Sequence, residues 1–183
     1  EFRKIWCYWE PKGTLPPYLG LCLDTMRRNA GAPVALLSTQ DIVDLAPNVN
    51  LKLAMRAPRP AQRADYYRSH LLAAQGGVWL DMDTIVMSDI DWIFAGVAEL
   101  GFAARRNRSG LGVAALGATA GAPELNRWIQ LQEEVLGAIN DDGTLPWSAL
   151  GSESLTRAVG MGRFFELPPR RVAPLPWTES AQF

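Results

Sequence analysis

Asp81 and Asp83 stand two residues apart after the apolar run Val78-Trp79-Leu80, within the stretch QRADYYRSHLLAAQGGVWLDMDTIVMSDID from Gln62 to Asp91. In an extended chain alternate side chains point the same way, which predicts both carboxylates on one side and Met82 on the other. Two negative charges that close repel unless a cation lies between them, and a hard divalent ion with oxygen ligands answers that need. The plainer account of a lone Asp-x-Asp is a polar strand end. Upstream, Asp65 and Arg68 are three residues apart, a spacing that on a helix brings a carboxylate and a guanidinium to one face. A helix-surface ion pair is the ordinary alternative there.

These residues need a helix, a stop and a buried strand to position them. Leu71 and Leu72 with Tyr67 predict an apolar side for the helix, and Gly76 or Gly77 suits the left-handed position after its last turn. Val78 to Leu80 is too short and too uniformly apolar to be amphipathic, as expected of a central strand covered on both faces. Such a strand delivers Asp81 and Asp83 to its C-terminal edge, where open α/β sheets bind ligands. The preceding chain alternates in the same sense. Lys4 to Trp9 reads as a strand, Tyr18 to Asn29 as a helix introduced by Pro16-Pro17, Val34 to Leu37 as a strand, and Ser38 or Thr39 as the cap of a helix through Leu45. This β-α-β-α order argues for a mostly parallel sheet flanked by helices.

The order Ala64-Asp65, Arg68, Leu72, Gly76-Gly77, Trp79, Asp81 and Asp83 resembles the motif of bacterial glycosyltransferases with an Asp-x-Asp pair, the capsular-polysaccharide and sugar-transferase group, which large clostridial glucosylating toxins share. The resemblance spans roughly thirty residues, as a motif does. It implies a GT-A-type, Rossmann-like nucleotide-sugar-binding domain and a metal-dependent retaining transfer. The donor would be a nucleotide-diphosphate sugar, UDP-sugar favoured, and the acceptor a carbohydrate or other hydroxyl, in polysaccharide or glycoconjugate synthesis. It further implies Mn²⁺ or Mg²⁺ on Asp81 and Asp83, with Asp81 also near the nucleotide sugar, and the transferred sugar held by Asp65 and Arg68. By the same resemblance Trp9, placed just before a Pro/Gly loop, stacks on the base, while Trp6 and Tyr8 read equally well as core; Glu153 faces donor or acceptor, the alternative being a helix-start carboxylate. Relatives continue past the proline-aromatic stretch Pro174 to Trp177 into a segment with His and Trp over the donor, and the sequence stops at Phe183.

The 183 residues suit one domain with one sizeable core. A net charge of −1 gives no whole-chain field for nucleic acid, so phosphate binding must be local. Cys7 and Cys22 fall outside metal-ligand or redox spacing and read as small buried hydrophobes. The single histidine, His70, leaves no room for His-based metal clusters or His-activated nucleophiles, and reads as a packing residue. No apolar run approaches the ~20 residues of a membrane span, so a cytoplasmic protein is expected, compatible with peripheral association at the inner face of a membrane. Asp89 and Asp91 repeat the Asp-x-Asp spacing but precede Trp92-Ile93-Phe94, which suits a helix start. The basic turn Arg105-Arg106-Asn107-Arg108 is either solvated or an acceptor or phosphate patch. Two other functions remain open. An apolar strand ending in Asp81-Met82-Asp83 also resembles the nucleophile motif of haloacid-dehalogenase-like phosphatases, although those need a later lysine and the lysines here are Lys4, Lys12 and Lys52. A non-catalytic nucleotide-sugar or carbohydrate binder is the other.

Overall fold

The computed structural model describes residues 3–108, 110–139 and 143–172. The first half holds strands β1 (Ile5–Tyr8), β2 (Val34–Leu37) and β3 (Gly77–Leu80) with helices α1 (Pro17–Asn29), α2 (Thr39–Leu45), α3 (Leu51–Ala54) and α4 (Pro60–Gln75). The second holds α5 (Asp91–Leu100), β4 (Phe102–Asn107), β5 (Gly110–Ala118), α6 (Pro123–Gly137), α7 (Ser154–Val159) and β6 (Phe165–Glu166). The six strands form one sheet in the order β2-β1-β3-β5-β4-β6. β1 runs parallel to β2 and β3, and β4 parallel to β6, whereas β5 is antiparallel to both of its neighbours. The sheet is therefore mixed, parallel where β1, β2 and β3 meet.

Alternation along the central strands divides the core in two. Val78 and Leu80 join Ile5, Cys7, Leu19 and Ile93 on the face covered by α1 and α5, while Trp79 joins Trp6, Tyr66, Leu71 and Leu116 on the face covered by α4 and α6. Both faces of β3 are thus dry, as its composition predicts. Cys7 and Cys22 are free and buried, and burial pushes the Cys7 thiol up to about 12, which leaves it an unreactive packing group.

Helix α4 departs from the amphipathic expectation. Gln62, Asp65, Tyr66, Tyr67, Arg68, Ser69, His70, Leu71 and Leu72 are all buried, because the helix lies between the sheet on one side and α6, α2 and α3 on the others. Part of its polar content is paired internally: Ser69 donates to Gln132 Oε1 at 2.6 Å, and Gln132 Nε2 donates to the Asp65 carbonyl at 3.1 Å, whereas Gln62 Oε1, Arg68 Nε and His70 Nε2 are buried without a hydrogen-bond partner among the described residues. The helix ends at Gly76, whose φ of 65° is positive as expected but whose ψ of −166° is extended, not left-handed helical. A side chain there would also meet the backbone of Ala120 at 2.8 Å. A second departure concerns the strand end. β3 stops at Leu80 and Asp81 to Thr84 form a turn closed by Thr84 N–H donating to the Asp81 carbonyl at 3.0 Å, so strand alternation does not set the directions of Asp81 and Asp83.

Asp91 does begin α5, where its N–H donates to Asp89 Oδ1 at 2.7 Å and its carboxylate pairs with Arg3, consistent with a structural role for both acids. Asn140, Asp141, Asp142 and the stretch Pro174 to Trp177 lie outside the described residues. No helix among the described residues is long and apolar enough to cross a membrane.

Candidate functional site

The C-terminal ends of β1 and β3 open onto a cavity of about 1080 Å³, at the upper end of the ~300–1,000 Å³ of small-molecule sites. Trp9, Asp65, Arg68, Asp81 and Asp83 all line it. Topology brings them together: β1 ends one residue before Trp9, α4 presents Asp65 and Arg68, and the turn after β3 carries Asp81 and Asp83.

Arg68 is the hub. Its side chain, 4 % exposed, places Nη2 3.1 Å from Asp65 Oδ1 and 3.0 Å from Asp81 Oδ1. Nη1 donates to the Val113 carbonyl, and the guanidinium carbon lies 5.0 Å from the centre of the Trp79 ring. Trp79 Nε1 in turn donates to Asp81 Oδ1 at 2.9 Å. The pair Asp65 and Arg68 is therefore a buried ion pair rather than a helix-surface one. Burial pushes Asp65 up to about 6 against the pull of Arg68, with the Asp81 charge adding to the rise. Burial also raises Asp81, opposed by Arg68 and the Trp79 hydrogen bond.

Asp65 and Asp81 share one guanidinium, and Asp83 lies beside them in the same cavity, so ionisation of all three carboxylates leaves two negative charges uncompensated by Arg68. Among the described residues Asp81 Oδ2 has no hydrogen-bond partner, and Asp83 is exposed without an ion-pair partner. No group of three His, Cys, Asp or Glu among the described residues could enclose a metal ion. Two carboxylates fit Mg²⁺ or Mn²⁺ in the sense that such ions take one or two protein oxygens and complete their shell with water and substrate phosphates.

Other residues in the cavity were less legible. Tyr8 lines it beside Trp9, its hydroxyl 3.0 Å from Thr39 Oγ1, and Trp6 instead is buried core, donating from Nε1 to the Gly76 carbonyl at 2.7 Å. Trp9 is half-buried in the cavity wall, its indole nitrogen sealed from solvent without a partner among the described residues. Arg59 lies over the Trp147 ring at 5.4 Å within the cavity wall, whereas Arg56 donates to the Gly137 and Ile139 carbonyls. Trp147, 65 % exposed, carries no periodic pattern that would single it out. Glu153 is not in this cavity; it ends a π-helical turn, Ala149–Glu153, and lines an adjoining cleft. The same turn places Gly151 against Asp65.

Residues 20–98 match the profile of a family described as a glycosyltransferase sugar-binding region containing a DXD motif, and Asp65, Arg68, Asp81 and Asp83 fall inside the match. No curated protein matches the sequence. Among solved structures, the PaToxG glycosyltransferase aligns with a TM-score of 0.64 at 15% identity, covering 87% of this chain and 68% of that one. A transferase mutant aligns with a TM-score of 0.48 at 13% identity over 91% and 92% of the two chains. Residues 20–98 thus match a glycosyltransferase sugar-binding region with its DXD motif, in a chain of GT-A-like fold, and the enzyme class these matches support is glycosyltransferase.

Proposed function

We propose that the chain transfers a sugar from a nucleotide-diphosphate donor, UDP-sugar favoured, to an acceptor hydroxyl with retention of anomeric configuration, in polysaccharide or glycoconjugate synthesis. The observation that carries this reading is the bridge of Arg68 between Asp65 and Asp81 beside the exposed Asp83, at the sheet edge where the cavity opens. Asp81 and Asp83 would hold Mn²⁺ or Mg²⁺. When bound, that ion supplies positive charge that neutralises the departing diphosphate.

The chain's own groups do the rest. Trp9 offers an aromatic face for the base. Asp65, fixed by Arg68, accepts hydrogen bonds from hydroxyls of the transferred sugar, and the Arg68 guanidinium offsets negative charge growing on the leaving oxygen. Burial of this pair excludes water that would otherwise intercept the sugar. The bond from the anomeric carbon to the diphosphate oxygen breaks and a bond to the acceptor oxygen forms on the same face. The acceptor's proton passes to the diphosphate oxygen, so no protein nucleophile is needed. The test is a thermal-shift screen of nucleotide sugars with and without Mn²⁺, since a ligand that binds only the native state raises its apparent stability. A shift that requires both a nucleotide sugar and the metal supports the reading; no shift with any donor contradicts it.

A further inference from the structure

The cavity shares a wall with a second cleft of about 720 Å³, and Val113 and Trp147 line both. The wall is a bulge in β5. Ala104 pairs with Leu116, but the next residue, Arg105, pairs with Gly112, so Val113, Ala114 and Ala115 leave the ladder with β4, while Ala115 stays paired with Leu80 of β3. Toward the first cavity this bulge supplies the Val113 carbonyl to Arg68 and the Ala114 carbonyl to the Asp81 N–H at 2.9 Å. The other side of the same three residues lines the second cleft.

The basic turn Arg105 to Arg108 divides at this point. Arg106 pairs with Glu166 at 3.3 Å and lies over Phe164, a structural use. Arg105 lines the second cleft, where its Nε is sealed from solvent with no partner among the described residues. A buried guanidinium N–H without an acceptor is costly, and an anion in the cleft would supply that acceptor with charge-assisted hydrogen bonds. Arg157 from α7 lines the same cleft, exposed and without an ion-pair partner among the described residues. Asn107, Ser148, Ser152 and Glu153 give the walls donors and acceptors suited to hydroxyls, and the exposed Trp147 ring stands where the two spaces meet.

We propose that the second cleft is the acceptor site and that it selects a hydroxylated acceptor bearing an anionic group, a carboxylate or a phosphate. Arg105 and Arg157 hold the anion, and the hydroxyl that receives the sugar lies toward Val113 and Trp147, next to the donor. This assignment rests on the reading of the first cavity as the donor pocket.

The experiment is calorimetric titration of the unmodified chain, Arg105→Gln and Arg157→Gln with methyl glucuronide, glucose 1-phosphate and neutral methyl glucoside, alongside UDP with Mn²⁺. At least one anionic probe should bind the unmodified chain tenfold or more tighter than the glucoside, and which one does so separates carboxylate from phosphate recognition. Each variant should lower that affinity at least tenfold and leave UDP affinity within twofold. Arg157 is exposed, so its variant reports on the cleft even where Arg105→Gln loses its fold. Equal binding of anionic and neutral probes, indifference to both substitutions, or loss of UDP affinity in Arg157→Gln would overturn the proposal. Absence of UDP binding to the unmodified chain, with anion binding intact, would instead remove the donor reading and with it the acceptor role.

Discussion

Gly151 lies so close to Asp65 that a β-carbon on the glycine would stand 2.7 Å from Asp65 Oδ2. The carboxylate is thereby pinned from behind by backbone while Arg68 holds it in front at 3.1 Å. Gly151→Ala is expected to push Asp65 out of line without disturbing the core. A displacement near 1 Å at a positioning group costs on the order of 10² in rate. Donor turnover should fall by that order with the melting temperature little changed; unchanged turnover would show that Asp65 need not be held there.

Arg68 serves two buried or half-buried carboxylates at once, with Asp65 12 % and Asp81 31 % exposed at their side chains. Arg68→Ala leaves them facing each other without a counter-charge, and such losses cost about 3–5 kcal/mol. Arg68→Lys keeps the charge but not the planar fork that reaches Asp65, Asp81 and Val113, so it should fold better than the alanine variant and still lose transfer. Urea unfolding of both variants beside donor turnover checks this. A native midpoint in Arg68→Ala would contradict the bridging role.

His70 packs its ring edge-on against Tyr66 with centroids 4.4 Å apart, and burial lowers it from its ordinary 6.5 to about 4. Glu133 Oε1 lies 3.9 Å away and accepts the Tyr66 hydroxyl, too far from the ring to hold a proton on it. The folded state then binds fewer protons than the unfolded chain between these values, so the His70 contribution is present above pH 6.5 and is lost as pH falls toward 4. At about 1.36 kcal/mol per pKa step the loss is roughly 3 kcal/mol. Asp65, raised to about 6, acts in the opposite direction over this range. The reading is therefore the difference between the unmodified chain and His70→Phe: denaturant unfolding from pH 7 to 4 should destabilise the former relative to the latter. Parallel curves would contradict a neutral buried His70.

Trp9→Ala should weaken nucleotide binding by about 1–3 kcal/mol, the range for loss of an aromatic face under a base. Trp6→Ala should chiefly lower the melting temperature, because that indole is core and donates to the Gly76 carbonyl. Fluorescence titration with UDP distinguishes them, and undiminished affinity in Trp9→Ala would make Trp9 a wall residue only.

Local chemistry explains which parts were legible in the sequence. β2 and α2 are marked by their own residues: the apolar run Val34 to Leu37, then Ser38 and Asp41, which form a capping box. The dry strand Gly77–Leu80 was legible from its uniform apolarity. Long-range relations were not. Nothing in the spacing of Asp81 and Asp83 tells that the chain turns just after Asp81 makes its last ladder bond to Ala114, with Thr84 N–H closing the turn on the Asp81 carbonyl. Nor does the turn around Arg105 reveal that its first arginine lines a cleft while the second pairs with Glu166. Gly151 and Trp147 gain their places from packing against α4 and the cavity, which no local pattern encodes.

Asp83→Asn most directly tests the account, because Asp83 is exposed and without an ion-pair partner among the described residues, so the change removes charge and little else. The measurement is turnover of a UDP-sugar by Asp83→Asn with saturating Mn²⁺, beside the unmodified chain with and without chelator. The account predicts a folded variant slower by on the order of 10²–10³, the cost of losing one positioned charge-stabilising group. Chelator should reproduce the defect in the unmodified chain and added Mn²⁺ should reverse it, while Asp89→Asn, altered only at a helix start, stays active. A fully active Asp83→Asn, or an unmodified chain indifferent to chelator, would contradict the metal-assisted transfer assigned to this site.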